Sequence, residues 1–256
     1  MELENKVIAI TGGSDGLGLA AAERLVEYGA RVAICGRSTD RLDKAAELLE
    51  GKGGEVIAVS TDVRDAASLE NFFVQIGRKW DRLDGLVNGA GYHTGGGFEG
   101  TTDAQWQEDF ELKLLAKVRG SRHAIAMMGE GGGCILNTLS IWARTPSKGS
   151  MPSSVYRAAG LALTKGLAND YAHRQIRVNA ILVGFVESNQ WVRGAEQTNQ
   201  SYDQYVKGMV DKLDIPLGRI GTAREYADLA CYLLSPAAGY ITGAAVPLDG
   251  GICQAI

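Results

Sequence analysis

The stretch Val7-Ile8-Ala9-Ile10-Thr11-Gly12-Gly13-Ser14-Asp15-Gly16-Leu17-Gly18 constrains this chain more than any other. Val7 to Ile10 form a short apolar run, as a strand buried on both faces of a parallel sheet requires. Thr11 to Gly18 is a glycine-rich turn. Leu19 to Tyr28 has helix-forming composition, and Gly29 is placed to end the helix. Glycines set between a strand and a helix let backbone approach a pyrophosphate at the helix N-terminus. An ordinary strand-to-helix turn would not need Gly12, Gly16 and Gly18 within seven residues.

The alternation of strand and helix continues along the chain. Arg31 to Cys35, Glu55 to Ser60, Leu83 to Val87, Cys134 to Leu139, Arg177 to Val183 and Ala244 to Leu248 read as further strands. Between them, Thr39 to Gly51, Ala66 to Trp80, Asp103 to Met128 (one extended helix, or two), Ser153 to His173 and Thr222 to Leu234 read as helices. The pattern predicts an α/β fold with a doubly wound parallel sheet. No linker or repeat divides it, so residues 1–256 are expected to form one domain. The cofactor half is expected over about 1–130 and the substrate half over about 131–256, with a polar lid at 184–214.

The net charge of −4 offers nothing to attract nucleic acid. No apolar run approaches the roughly 18 residues of a membrane span. The polar start, Met1 to Lys6, shows no signal peptide, and Cys35, Cys134, Cys231 and Cys253 have no metal-like spacing. A cytoplasmic protein with reduced thiols and no metal is expected.

Over essentially its whole length the chain resembles the short-chain dehydrogenases/reductases. The resemblance rests on Thr11-Gly12-x3-Gly16-x-Gly18, Asp62-Val63, Asn88-Gly89-Ala90-Gly91 and Arg177-Val178-Asn179-Ala180. It continues through Pro216-Leu217-Gly218-Arg219, Tyr240-Ile241-Thr242-Gly243 and Asp249-Gly250-Gly251. It implies a Rossmann fold that binds a nicotinamide cofactor along Gly12, Ser14, Asp15, Gly16, Leu17 and Gly18. It further implies cofactor contacts from Asp62, Val63, Asn88, Gly89, Ala90, Gly91, Gly184 and Val186. A homotetramer is also implied, built partly through Ser153 to His173 and the segment around Asp249.

The residue after the second strand chooses the cofactor. An acidic residue there would repel a 2′-phosphate. Here Arg37 follows Gly36, and Arg41 stands four residues on. A guanidinium grips phosphate bidentately, so NADP(H) is expected in preference to NAD(H). Asp15 is the discordant feature, because it brings a negative charge near the same phosphate.

The family's acid is a Tyr, four residues before a Lys, with a Ser thirteen residues upstream and an Asn on the preceding helix. Alignment backward from Leu163-Thr164 puts Ser153 at the Tyr position and Arg157 at the Lys position. Ser140 matches the family's Ser, and counting from Trp106 puts Lys113 at the Asn position. An unactivated serine is a poor acid, and arginine does not share its proton at working pH. Lysine shifts its pKa readily when buried near other cations, so Lys113 is expected to act as proton donor. Ser140 and Ser153 are expected to hold the substrate oxygen, and Arg157 to supply fixed charge. Lys117 and Arg119 read as solvated helix charges. Tyr156, Tyr92 and His93 are the competing acids. Trp142, Trp191, Tyr202 and Tyr205 are expected to wall a pocket for an apolar or cyclic small molecule.

The expected activity is interconversion of a ketone and a secondary alcohol. Reduction of a conjugated C=C bond is an alternative, since dienoyl-CoA reductases of the family also carry Ser at the Tyr position while keeping the Lys. A cofactor-binding sensor or scaffold without turnover is a third.

Overall fold

A computed structural model describes residues 1–92 and 94–255. Its centre is a sheet of seven strands in the order β3-β2-β1-β4-β5-β6-β7, every neighbouring pair parallel. The strands are β1 (Val7–Thr11), β2 (Arg31–Gly36), β3 (Val56–Ser60), β4 (Gly85–Asn88), β5 (Gly133–Ser140), β6 (Ile176–Val183) and β7 (Ala245–Leu248). The apolar run of β1 is buried along its whole length. Its side chains alternate between two cores. Ile8 and Ile10 face one with Leu25 and Tyr226, and Val7 and Ala9 face the other with Phe72 and Ile76. Burying a side chain of this size contributes roughly 1.5–3 kcal/mol.

The helices are α1 (Gly16–Glu27), α2 (Thr39–Gly51), α3 (Ala66–Trp80), α4 (Asp103–Phe110), α5 (Ala116–Met127), α6 (Ser153–Tyr171), α7 (Asn189–Gln197), α8 (Tyr202–Leu213) and α9 (Ala223–Leu234). Asp15 starts α1 by accepting the Gly16 N–H at 2.7 Å. Gly29, at φ 78°, closes the turn after it. Gly18 is fixed by space, because a Cβ there would stand 2.1 Å from the Gly12 carbonyl oxygen.

The single or double helix expected over 103–128 is one continuous rod with a change of winding. A π-helical turn, Glu111–Leu115, joins α4 to α5. Such turns re-aim side chains and concentrate at functional sites. The segment 184–214 contains two helices. Ser201 and Gln204 cap the start of α8 reciprocally, and Phe185 stacks on Trp191 at 4.4 Å. No helix among the described residues is long and apolar enough to cross a membrane.

Candidate active site

The strand order reverses between β1 and β4, and a cleft opens at the carboxyl ends of the strands there. This is where an open α/β sheet leaves room for a ligand. The cleft encloses about 530 Å³. Its outer end is lined by Gly12, Ser14, Asp15, Gly16, Leu17 and Gly18, with Arg37, Arg41, Asp62 and Val63. Gly89, Ala90, Gly91, Gly184 and Val186 continue the wall inward. Of the cofactor positions expected from the sequence, Asn88 alone does not line the cleft. It is 2% exposed and spends its amide on Asn137 at 2.9 Å and Ser121 at 3.3 Å, so it ties β4 to β5 and α5 instead of facing the cleft.

The charge of Asp15 is engaged on three sides. Besides capping α1, its carboxylate accepts from the Asn189 amide at 2.6 Å and lies 3.5 Å from the Arg41 guanidinium. Asp62 is clasped by Arg64 at 2.6 Å, which holds its carboxyl below the usual carboxylate range. Arg37 makes no ion pair among the described residues and reaches the cleft. The residues fit a phosphorylated dinucleotide on one further count. Ser188, in the cleft wall where a Cβ on Gly16 would come within 4.0 Å, has a buried hydroxyl with no partner. Sequence reasoning missed Ser188, although its place four residues beyond Gly184 at the end of β6 was a usable signal.

At the inner end stand Lys113, Lys117, Arg157, Ser140 and Trp142. Lys113 is 1% exposed. Its Nζ lies 2.7 Å from both carboxylate oxygens of Asp109 and also meets the Thr94 hydroxyl. Burial and the Arg157 charge push its pKa down to about 8, against the pull of Asp109.

Lys117 is a correction. Expected in solvent, it is 4% exposed, with no hydrogen-bond partner among the described residues. Burial, helped by the Arg157 and Lys113 charges, pushes its pKa down to about 7. The physical reason is its face of α5, since Gly120, Ser121 and Ala124, three, four and seven residues on, are all buried. Arg119, by contrast, is half-exposed and pairs with Glu111 at 3.0 Å.

Two further expectations change. Ser153 does not line the cleft; it is 3% exposed and its hydroxyl accepts from Arg157 Nε at 3.3 Å, so it supports the guanidinium. Tyr156 also turns away, because its ring packs between Trp106 and Phe110 at 5.8 and 5.7 Å. Tyr92 reaches the cleft, but its hydroxyl donates to Glu108 at 3.3 Å, and burial and that carboxylate raise its pKa. His93 lies outside the described residues. Ser140 faces the cleft and accepts the Trp142 N–H at 3.3 Å, which leaves its own proton free to donate. Trp142 and Trp191 line the cleft as expected, whereas Tyr202 and Tyr205 do not. Tyr205 packs behind Trp191, against Gly194.

Residues 12–253 match a family model described as enoyl-(acyl carrier protein) reductase. A probable 2,4-dienoyl-CoA reductase of Bacillus subtilis is 32% identical over 97% of this chain and 97% of its own. Among solved structures, L-sorbose reductase from Gluconobacter frateurii, complexed with NADPH and L-sorbose, superposes with a TM-score of 0.96 at 31% identity, covering all of both chains. A short-chain oxidoreductase from Pseudomonas aeruginosa PAO1, described as containing an atypical catalytic center, gives 0.94 at 33% identity, again over all of both chains. A glycine-bordered cleft at the sheet's switch point, matched end to end by such relatives, makes this chain a member of the short-chain dehydrogenase/reductase family.

Proposed function

We propose that the protein is a cytoplasmic NADP(H)-dependent oxidoreductase that interconverts a ketone and a secondary alcohol with a non-standard catalytic set. One observation carries this reading. The Ser140 hydroxyl and the unpartnered Lys117 amine line the same inner end of a cleft that begins at the glycine turn. The relatives named as reductases, one of them in complex with NADPH, support the class of reaction.

The first turn of α1, Ser188 and Arg37 would hold the cofactor, whose nicotinamide supplies or accepts the hydride when bound. Ser140 donates a hydrogen bond to the substrate oxygen. The Lys117 ammonium, destabilised by burial, gives that oxygen its proton during reduction, and the neutral amine takes it back during oxidation. Lys113, hydrogen-bonded to Asp109, adds a positive charge that helps to keep the Lys117 pKa low. Arg157, steadied by Ser153, does the same from α6. The proton donor expected at Lys113 is thereby reassigned to the lysine one turn along.

The test is nicotinamide absorbance followed against a panel of ketones, secondary alcohols and enones. Turnover of ketones or alcohols supports the reading. Turnover confined to enones favours C=C reduction, to which the Ser153 substitution and the dienoyl-CoA reductase relative point. Tight NADPH binding with no turnover on any compound makes the protein a sensor or scaffold. A homotetramer formed through α6, whose Val155 is 41% exposed, is expected to show its mass in light scattering.

A further inference from the structure

We propose that Arg157 and Lys117 form an anion site at the inner end of the cleft, and that the substrate is an oxo acid or the matching hydroxy acid. This rests on the oxidoreductase reading and adds the substrate's charge to it. The inner end holds three cations, Lys113, Lys117 and Arg157. One carboxylate, Asp109, is closed on Lys113 through both oxygens. The two acidic residues that line the cleft, Asp15 and Asp62, stand at its outer end and are already paired with Arg41 and Arg64. Glu108 is turned to Arg64 at 2.7 Å and to the Tyr92 hydroxyl. Three cations at the inner end therefore share one carboxylate, Asp109, which is hydrogen-bonded to Lys113 and reaches Arg157 only as a longer-range charge.

The donors left over are those a carboxylate needs. Arg157 spends Nε on Ser153, and its two terminal nitrogens make no hydrogen bond among the described residues. That fork matches a carboxylate bidentately. Lys117 offers an ammonium with no partner beside it. Uncompensated charges are expensive away from water, and an incoming anion offsets that cost. The cofactor's phosphates would be held at the other end, by the helix N-terminus, Arg37 and Arg41, which line the outer cleft. Trp142, Phe185 and Trp191 line the cleft too, so the remainder of the substrate is apolar.

The charged groups facing Lys117 are Arg157 from α6 and Lys113 from the π turn, and Asp109 from α4 acts on both of these. An anion seated against Arg157 raises the Lys117 pKa. Above neutral pH, binding then takes up a proton.

The test is calorimetry on the NADPH-saturated, full-length protein with two non-reducible probes, phenylacetate and neutral phenylacetamide. The carboxylate is expected to bind roughly 10–100-fold more tightly than the amide. At about pH 8.5 its binding takes up a proton and at about pH 5.5 it does not, read from the dependence on buffer ionisation enthalpy. Arg157→Leu and Lys117→Met each remove the preference, and Lys117→Met reduces the proton uptake to what Lys113 contributes. Equal binding of the two probes by the unaltered protein overturns the proposal without recourse to any variant. So does a preference that survives both substitutions, which would mark an adventitious anion only. Turnover of neutral ketones with no preference for oxo acids leaves the oxidoreductase reading standing and the anion site refuted. A carboxylate preference without turnover of any carbonyl does the reverse.

Discussion

Lys113 Nζ lies 2.7 Å from both carboxylate oxygens of Asp109, four residues earlier, across the start of a π-helical turn. Both residues are almost wholly buried, at 1% and 2% exposure. A pair this dry is fragile to the loss of one member, because the survivor keeps a charge with no solvent. Asp109→Ala is expected to cost about 3–5 kcal/mol in urea unfolding, whereas Lys113→Met with Asp109→Leu recovers most of that loss. A single substitution as harmless as the double one would show that the pair is not coupled.

Burial, then the Arg157 charge, then the Lys113 charge set the chemistry at Lys117. In carbonyl reduction the donor must start protonated, so kcat/KM falls as pH rises through about 7, the value for the free protein. Alcohol oxidation needs the neutral amine and rises through the same value. Lys117→Met is expected to lower kcat by roughly 10²–10⁴-fold while NADPH binding, read by fluorescence, holds. Lys113→Met removes a neighbouring cation and leaves Asp109 bare, and both changes raise the Lys117 pKa. Its reduction profile should therefore shift to higher pH instead of losing its amplitude. Tyr156→Phe, altering a ring outside the cleft, is expected to keep near-normal turnover. If Lys117→Met stays active and Lys113→Met does not, the donor is Lys113.

The fold was legible because two strong periodicities state it. The buried run of β1 alternates between cores, and the helix bounds at Ala66–Trp80 and Thr39–Gly51 fall where the apolar stripes begin and end. The outer cleft was legible for a related reason: glycines such as Gly18 are required by atoms that would otherwise overlap. The inner cleft was not, because its identity depends on which way a side chain points. Lys117 and Arg119 look alike in sequence, yet two residues on a helix lie on nearly opposite faces, and one is buried and the other paired at the surface. The run of small residues at 120, 121 and 124 marked the buried face and carried that information. Ser153 and Tyr156 show the same dependence on direction. Three residues apart on a helix makes them neighbours, but one sits under Arg157 and the other against Trp106.

Cofactor choice turns on a contrast at the outer end. Asp15 carries its charge into a cap, an amide and Arg41, while Arg37 has no acidic partner among the described residues. Arg37→Asp is expected to weaken NADPH binding far more than NADH binding in fluorescence titrations, since the new carboxylate repels the 2′-phosphate alone. Equal loss for both cofactors would mean that Arg37 does not read the phosphate.

The last expectation links the Lys117 environment to stability. In the unfolded chain its pKa returns to about 10.4. In the folded protein it is pushed down to about 7 by burial and the two neighbouring cations. Below about 7 the native state holds a buried ammonium, and the full penalty of that charge weighs on folding. Between that value and the unfolded one, the unfolded chain binds a proton that the native state has released. Stability therefore climbs with pH across this window, and the penalty is gone above it. Lys117→Met carries no such charge. Its melting temperature should exceed that of the unaltered protein most at about pH 6, and the gap should shrink steadily toward about pH 10. Packing changes caused by the methionine are the same at every pH, so only the pH dependence of the gap bears on the charge. A gap that stays constant between those limits would show that Lys117 keeps an ordinary pKa, and with it would go the case for this residue as the donor.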